Sequence, residues 1–319
     1  MPLPNDEKLL ALSQDLLQQF DAIFGLHPGF RPAHAKGVML GGTFTPAAKA
    51  SSICRAPHMV RKSTPVSARF SNSTGVPVIP DNDPNAGPRG LAIRFHLAEH
   101  SHTDIVSHST DAFPARTGDE FLAFLRALAA SDLTKAPDPS NPSPIVKFLG
   151  SHPSALVFVQ APKPAPSSFA RESYFGMNAF HFTNASGETR FGRYRIIPPA
   201  GNDYLDAPTA AAKGPDYLFQ ELQERVSKGP IELQVRVQLA NAGDIVDDVT
   251  IHWPADRPIA ELGTIQLTQT LPDNVAEQKH IIFDPIPRVD GIEPSADPLL
   301  ELRAAIYLMS GRRRRAAGK

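Results

Sequence analysis

What most restricts the fold of this chain is a succession of short apolar or alternating runs, each cut off by glycine or proline: Lys36–Phe44, Pro65–Ser71, Leu91–Leu97 and His102–Ser107. Runs of this length read as strands, and the punctuation between them supplies the turns. Further strands are predicted at Gly176–Asn184, Thr189–Ile197, Ile231–Ala240 and Gly263–Thr270. Helical signals interleave with them. Leu9, Leu10, Leu12, Leu16, Leu17, Phe20 and Phe24 recur at helical spacing after Asn5-Asp6, which predicts an amphipathic helix stopping near Gly25. Thr117-Gly-Asp-Glu120 is a capping-box pattern ahead of Phe121–Leu128, and Tyr217–Ser227 has helical composition. Pro294-Ser295-Ala-Asp297-Pro opens a last helix, Leu299–Met309, with Ser295 or Asp297 as its cap. The class is α+β.

With 319 residues the chain is long enough for two ordinary domains or for one large β-barrel domain with helical additions. Prolines cluster in Ala136–Pro144 and Ala161–Ser168, but neither stretch separates two segments capable of folding alone, so one domain over 1–319 is expected. Its parts are an N-terminal helical arm (1–28), a barrel with inserted helices (29–290), and a final helix with a basic tail (291–319).

A net charge of −1, from 32 basic and 33 acidic residues, gives no global pull toward nucleic acid or anionic membranes, so cationic work must be local. The single cysteine, Cys54, excludes an internal disulfide framework and a thiolate metal cluster, in keeping with a reducing compartment. No stretch of about 18 apolar residues and no leader-like start is present, so a cytoplasmic protein is expected. His96, Glu99, His100, His102 and Asp104 lie across a strand pair and a turn without zinc-type spacing.

Arg303 and Tyr307 stand at i and i+4 of the last helix, one turn apart on one face. An unperturbed phenol, with a pKa of about 10, is a poor ligand at neutral pH, but a fixed cation and a ferric ion both favour the phenolate. Tyrosinate is an axial ligand of haem iron in some proteins. In isolation, Arg-x-x-x-Tyr is more often a surface or cation–π pair, and its context decides the reading.

That context is a set of ordered blocks: Arg31-Pro-Ala-His34-Ala-Lys-Gly37, Ser67-Ala-Arg69-Phe70-Ser71, Gly87-Pro-Arg89-Gly-Leu-Ala92, Asp104-Ile-Val-Ser-His108-Ser-Thr-Asp111, and Pro294 to Tyr307. Together they resemble the haem catalases, in particular the short catalase-related peroxidases, over roughly Gly29 to Arg315. The resemblance implies an antiparallel β-barrel with surrounding helices and haem b buried against it. It implies Tyr307 as the axial iron ligand, supported by Arg303, and His34 on the opposite face as the acid–base that moves a proton between peroxide oxygens. Arg31, Arg69 and Arg314 match the family's positions for holding the two haem propionates, a task suited to planar bidentate donors. Arg314 falls in the run Arg312–Arg315, which otherwise reads as a solvated tail. Ser71 resembles the serine that hydrogen-bonds the essential histidine. Phe121, thirteen positions after His108, and Phe124 fall where the family places phenylalanines against the haem; they also suit a plain core.

One departure stands out. Where catalases carry a distal asparagine this chain has His108, followed by Ser109 and then Asp111 in place of proline. An imidazole has two protonation states and more bulk than an amide. The expectation is a peroxidase that uses hydrogen peroxide or an organic hydroperoxide to oxidise small organic donors, with weak catalase activity at most. A hydroperoxide-rearranging enzyme of the allene oxide synthase kind, a true dismutase, a non-catalytic haem carrier and a lipocalin-like binder are the alternatives. No nucleic acid or membrane partner is expected. With little of the family's long terminal arms, the chain is expected to be a monomer or homodimer.

Overall fold

The computed structural model describes residues 3–135 and 138–318. Ala136 and Pro137, at the start of one expected loop, and the first two and the last residue lie outside the described residues. β1 (Gly37–Pro46), β2 (Thr64–Ser71), β3 (Gly90–Ala98) and β4 (Ser101–His108) form an antiparallel meander. β5 (Tyr174–Phe175) pairs with both β4 and β7 (Thr189–Ile197), β7 pairs further along with the short β6 (Phe180–Thr183), and its other edge pairs with β8 (Ile231–Leu239). β9 (Ile259–Thr270) pairs with both β8 and β1 and closes the barrel. β6 and β10 (Ile292–Pro294) continue off one side of β7. Closure removes the open edges that such strands would otherwise present to solvent.

The barrel forms because the strands alternate. Val66, Ala68 and Phe70 of β2, Leu91, Ile93 and Phe95 of β3, and Ile231, Leu233, Val235 and Val237 of β8 all point into one buried cluster. Each large side chain so buried contributes about 1.5–3 kcal/mol relative to exposure. The seam is thinnest between β4 and β5, where a single pair, His108 with Phe175, carries the register.

The helices are α1 (Glu7–Phe24), α2 (Pro57–Val60), α3 (Gly118–Ala129), α4 (Pro144–Ser151), α5 (Pro153–Gln160), α6 (Ala207–Ala211), α7 (Tyr217–Lys228), α8 (Asn274–His280) and α9 (Leu299–Ala316). Asp6 caps α1 by accepting from Lys8 N and Leu9 N, and Gly25, at φ 83°, ends it. Thr117 Oγ1 accepts from Glu120 N at 3.3 Å, while the Glu120 carboxylate accepts from Arg116 N at 2.9 Å, one residue earlier than a reciprocal box requires. α1, α3 and α9 meet at Gly118, where a Cβ would stand 2.3 Å from the Leu302 side chain and 2.8 Å from that of Leu12. Among the described residues no helix is long and apolar enough to cross a membrane.

Three expectations change. Gly176–Asn184 is not one strand: the chain leaves the sheet over Gly176–Ala179 and re-enters as β6, because Asn178 turns inward to polar partners. Arg312–Arg315 is not a solvated tail. α9 runs through it to Ala316, Arg313 donates to Asp21 of α1 at 2.9 Å, and Arg314 is buried. Neither candidate is the cap of α9, which is Pro298; Asp297, one residue earlier, accepts from Leu299 N at 2.9 Å, and Ser295 Oγ is buried without a partner among the described residues. The helices α4 and α5, between the two proline-rich loops, were not anticipated; Pro144 and Pro153 occupy their first positions, where proline starts a helix.

Candidate active site

His34 sits between α1 and β1 with φ 57°, a left-handed conformation that a non-glycine residue keeps only when its surroundings enforce it. They do. His34 N donates to Ser73 O and Ala35 N to Thr74 O, both at 2.9 Å, and Arg69 Nη2 donates to the His34 carbonyl at 2.9 Å. The imidazole Nδ1 lies 3.1 Å from Ser71 Oγ at the end of β2. With Nδ1–H donating to that hydroxyl, Nε2 keeps its lone pair. Gly90 lets β3 close against the pair: a Cβ there would lie 2.5 Å from Ser71 Oγ and 2.7 Å from His34 Nδ1.

Beneath this group a buried polar network fixes the strand ends. Asp81, fully buried, accepts from Lys36 Nζ and Asn72 Nδ2, both at 2.8 Å, and from Leu218 N at 2.9 Å; Arg89 Nη2 donates to the Asp81 carbonyl at 2.6 Å and Nη1 to Asn72 Oδ1. Every member is satisfied, so the network is rigid rather than costly.

The electrostatics keep the imidazoles neutral. Desolvation, then the charges of Arg69 and Arg31, hold His34 down to about 4. His108, at the end of β4, is pushed down to about 3 by desolvation, then by His34, Arg303 and Lys163. Thr110 N donates to His108 Nδ1 at 3.3 Å, so the neutral ring carries its proton on Nε2. The two protonation states expected of an imidazole here reduce to one near neutral pH: His108 is a fixed donor, as an amide would be.

On α9, Arg303 Nη2 donates to Tyr307 Oη at 3.2 Å, and its Nη1 donates to Asn178 Oδ1. Asn178 Nδ2 in turn donates to Asp297 Oδ2 at 2.9 Å, so the guanidinium is aimed by a buried amide and a carboxylate. The Arg303 charge reaches His34 and His108, and the Tyr307 phenol reaches Arg31, so both ends of the chain converge on one region.

Arg31, Arg69 and Arg314 gather around the C-terminal end of α8. Arg31 donates to the carbonyls of Gln278 and Ile281 at 3.0 and 3.1 Å, Arg314 Nη2 to Ile281 O at 2.6 Å, and Arg69 Nε to Gln278 Oε1 at 2.9 Å. Desolvation and then mutual repulsion lower Arg31 and bring Arg69 to about 9; burial and then Arg315 bring Arg314 to about 10. None of the three forms an ion pair among the described residues. Clustered guanidiniums with neutral acceptors only are a site for an anion. A group carrying two carboxylates fits them, and a ferric centre fits the phenol oxygen that Arg303 holds.

Phe121 and Phe124 lie elsewhere in part. Phe124 is buried against Phe148 and Phe158, and Phe121 against Phe20 and Phe113, in the cluster that also takes Ile306, the neighbour of Tyr307. Asp104 is committed to Arg94, which donates to it at 2.9 and 2.7 Å, and His96 Nε2 lies 2.9 Å from Ser67 Oγ. Cys54 is buried, its thiol pushed up to about 11 by desolvation. Gln278, Asn178 and Asp297 were missed as site residues. Asn178 stood out only as a polar residue in an apolar stretch, and Gln278 carried no signal.

The family model described as Catalase matches residues 28–318. A Catalase-related peroxidase of Mycolicibacterium paratuberculosis is 35% identical over 303 residues, covering 92% of each chain, and one of Synechococcus elongatus is 32% identical over 295 residues, covering 92% of this chain and 86% of the relative. Catalase-2 of Caenorhabditis elegans is 28% identical, with 58% of its length covered. Among solved structures, a bacterial catalase superposes with TM-score 0.76 at 24% identity over 98% of this chain and 62% of that one, a likeness of fold alone. The chain thus spans about three-fifths of the length of that catalase.

Proposed function

The chain belongs to the catalase family, and from that premise we propose that it is a haem b peroxidase that uses hydrogen peroxide or an organic hydroperoxide to oxidise small organic donors. The observation that carries this reading is the pairing, in one region, of a neutral His34 held by Ser71 with a Tyr307 phenol held by Arg303.

Tyr307 would supply the oxygen that holds the haem iron, and Arg303 would favour its phenolate. Arg31, Arg69 and Arg314 would hold the propionates, and Phe121 and Phe124, packed chiefly among other phenylalanines, would border the ring's apolar side. The cofactor supplies the redox chemistry. His34 Nε2 would accept a proton from one peroxide oxygen and return it to the other. Ser71 fixes the ring's orientation, and its low pKa keeps the base free. His108 Nε2–H donates to peroxide in place of the family's amide, but the ring is bulkier and narrows the space for a second peroxide. That favours reduction by an organic donor over dismutation. A reducing, cytoplasmic setting suits the lone buried thiol.

Steady-state rates of oxygen release and of phenolic-dye oxidation on the purified holoprotein test the reading. Dye oxidation should dominate; fast oxygen release with no dye oxidation would overturn it.

A further inference from the structure

Beside His108 the surface opens into a pocket of about 310 Å³ whose walls include Thr110, Asp111, Pro162, Phe175, Asn202 and Tyr204. Apart from Thr110, whose N–H fixes the His108 tautomer, none of these was part of the site described above. Its position is what draws notice. Phe175 is the register partner of His108 across the thin β4–β5 seam, and Thr110 gives its N–H to His108 Nδ1. Lys163, next to Pro162, is close enough for its charge to lower the pKa of His108. The pocket therefore backs directly onto the distal side of the site.

Its chemistry is one-sided. Glu172, 3% exposed, has no cation paired with it among the described residues. Both of its hydrogen bonds fall on Oε1, from Tyr204 Oη at 2.8 Å and from Ser173 N at 2.9 Å, and Oε2 accepts none among the described residues. Two of the donors in the wall are engaged with neighbouring side chains. The Tyr204 hydroxyl proton goes to Glu172, and Asn202 Nδ2 donates to Tyr204 Oη at 3.0 Å. Asp111 adds a carboxylate, 3.2 Å from Arg195 Nη2. A ligand that brings a hydrogen-bond donor meets the Asp111 carboxylate in the wall and, next to Tyr204, the Glu172 carboxylate. Burial raises the pKa of Glu172, as expected of a carboxylate short of partners.

Phe175 and Pro162 give the pocket an apolar side. Its volume is roughly twice the ~150 Å³ that accommodates a benzene ring, and too small for a long acyl chain.

We propose that this pocket binds the reducing substrate, a small aromatic hydrogen-bond donor of the phenol or aniline class, with its ring against Phe175 and Pro162 and its O–H or N–H toward the Glu172–Tyr204 acceptors. The proposal deepens the peroxidase reading and rests on it for the role of the bound molecule.

Calorimetric titration of the resting holoprotein with guaiacol, and with benzoate as the anionic control, tests it without turnover. Guaiacol should bind and benzoate should not. Asn202→Trp, which adds bulk at an exposed rim, should weaken guaiacol at least about tenfold, or 1.4 kcal/mol, and raise its KM. Glu172→Gln, of the same shape, should weaken it as well. Cyanide titration of the haem should match wild type in Asn202→Trp, which shows that the fold and the iron side are intact. Guaiacol binding and KM unchanged in both variants would overturn the pocket while leaving the peroxidase reading standing, and so would benzoate binding as tightly as guaiacol. Guaiacol that binds with the expected variant sensitivity yet is not oxidised with peroxide would overturn the peroxidase reading and leave the pocket as a binding site.

Discussion

Arg69 donates through Nη2 to the carbonyl of His34 at 2.9 Å while its Nε donates to Gln278 at 2.9 Å, so one buried guanidinium joins His34, the proposed acid–base, to the cationic cluster. Arg314 belongs to the same cluster but does not touch His34. The two arginines should therefore separate in their effects. Arg69→Lys loses the planar fork and should weaken haem binding and also slow the reaction with peroxide, whereas Arg314→Lys should weaken binding with little effect on that rate. A lost charge-assisted bond costs about 1.5–3 kcal/mol, or about tenfold to a hundredfold in affinity, readable by haem titration and stopped-flow. Equal loss of rate in both variants would contradict the link.

His34→Gln should leave the Soret band in place and slow the reaction with peroxide by about 10²–10⁴-fold. In the wild type the rate should hold from neutral pH down to about 5 and fall as His34 becomes protonated near 4, because desolvation and Arg69 keep the base form free. An acid limb centred at the ordinary histidine value would show that the cluster does not act on His34.

His108→Asn restores the amide of full-size catalases without touching the iron side. Oxygen release should rise relative to phenolic oxidation, measured on one preparation with both assays. An unchanged ratio would mean that His108 does not set the partition.

His58, on α2, is 1% exposed between Phe44 and Phe95, and neither ring nitrogen has a partner among the described residues. Desolvation, then Arg61, lowers it to about 4. Its folded value lies below the unfolded one of about 6.5, so the unfolded chain takes up the proton first. Stability is then full above about 6.5 and is lost as pH falls toward 4, at about 1.4 kcal/mol per unit. His58→Phe should raise the urea midpoint at pH 7, and the gap from wild type should widen at pH 5. A constant gap would place the acid sensitivity elsewhere.

Most of the barrel was legible because period-two burial and glycine–proline punctuation are local properties: β7 spans Thr189–Ile197 as expected, and α1 ends at Gly25. The interruption at Gly176–Ala179 was not legible, since Asn178 leaves the sheet for Asp297 and Arg303, more than a hundred residues away. Arg312–Arg315 misled for the same reason. Four consecutive arginines look solvated until Asp21 and the Ile281 carbonyl, from distant segments, take two of them.

By itself the sequence determined the residue types and their order: a histidine and a serine for the acid–base, an arginine one turn before a tyrosine, and three further arginines. Only the tertiary structure decided how they act. It sets His34 in a left-handed conformation, drives both imidazoles to their neutral forms, fixes the tautomer of His108 and leaves three guanidiniums short of an anion. The neutral imidazoles and the cluster of guanidiniums depend on desolvation and on charges brought close from remote parts of the chain, and the His34 conformation on hydrogen bonds with Ser73 and Arg69, none of which exists until the barrel closes.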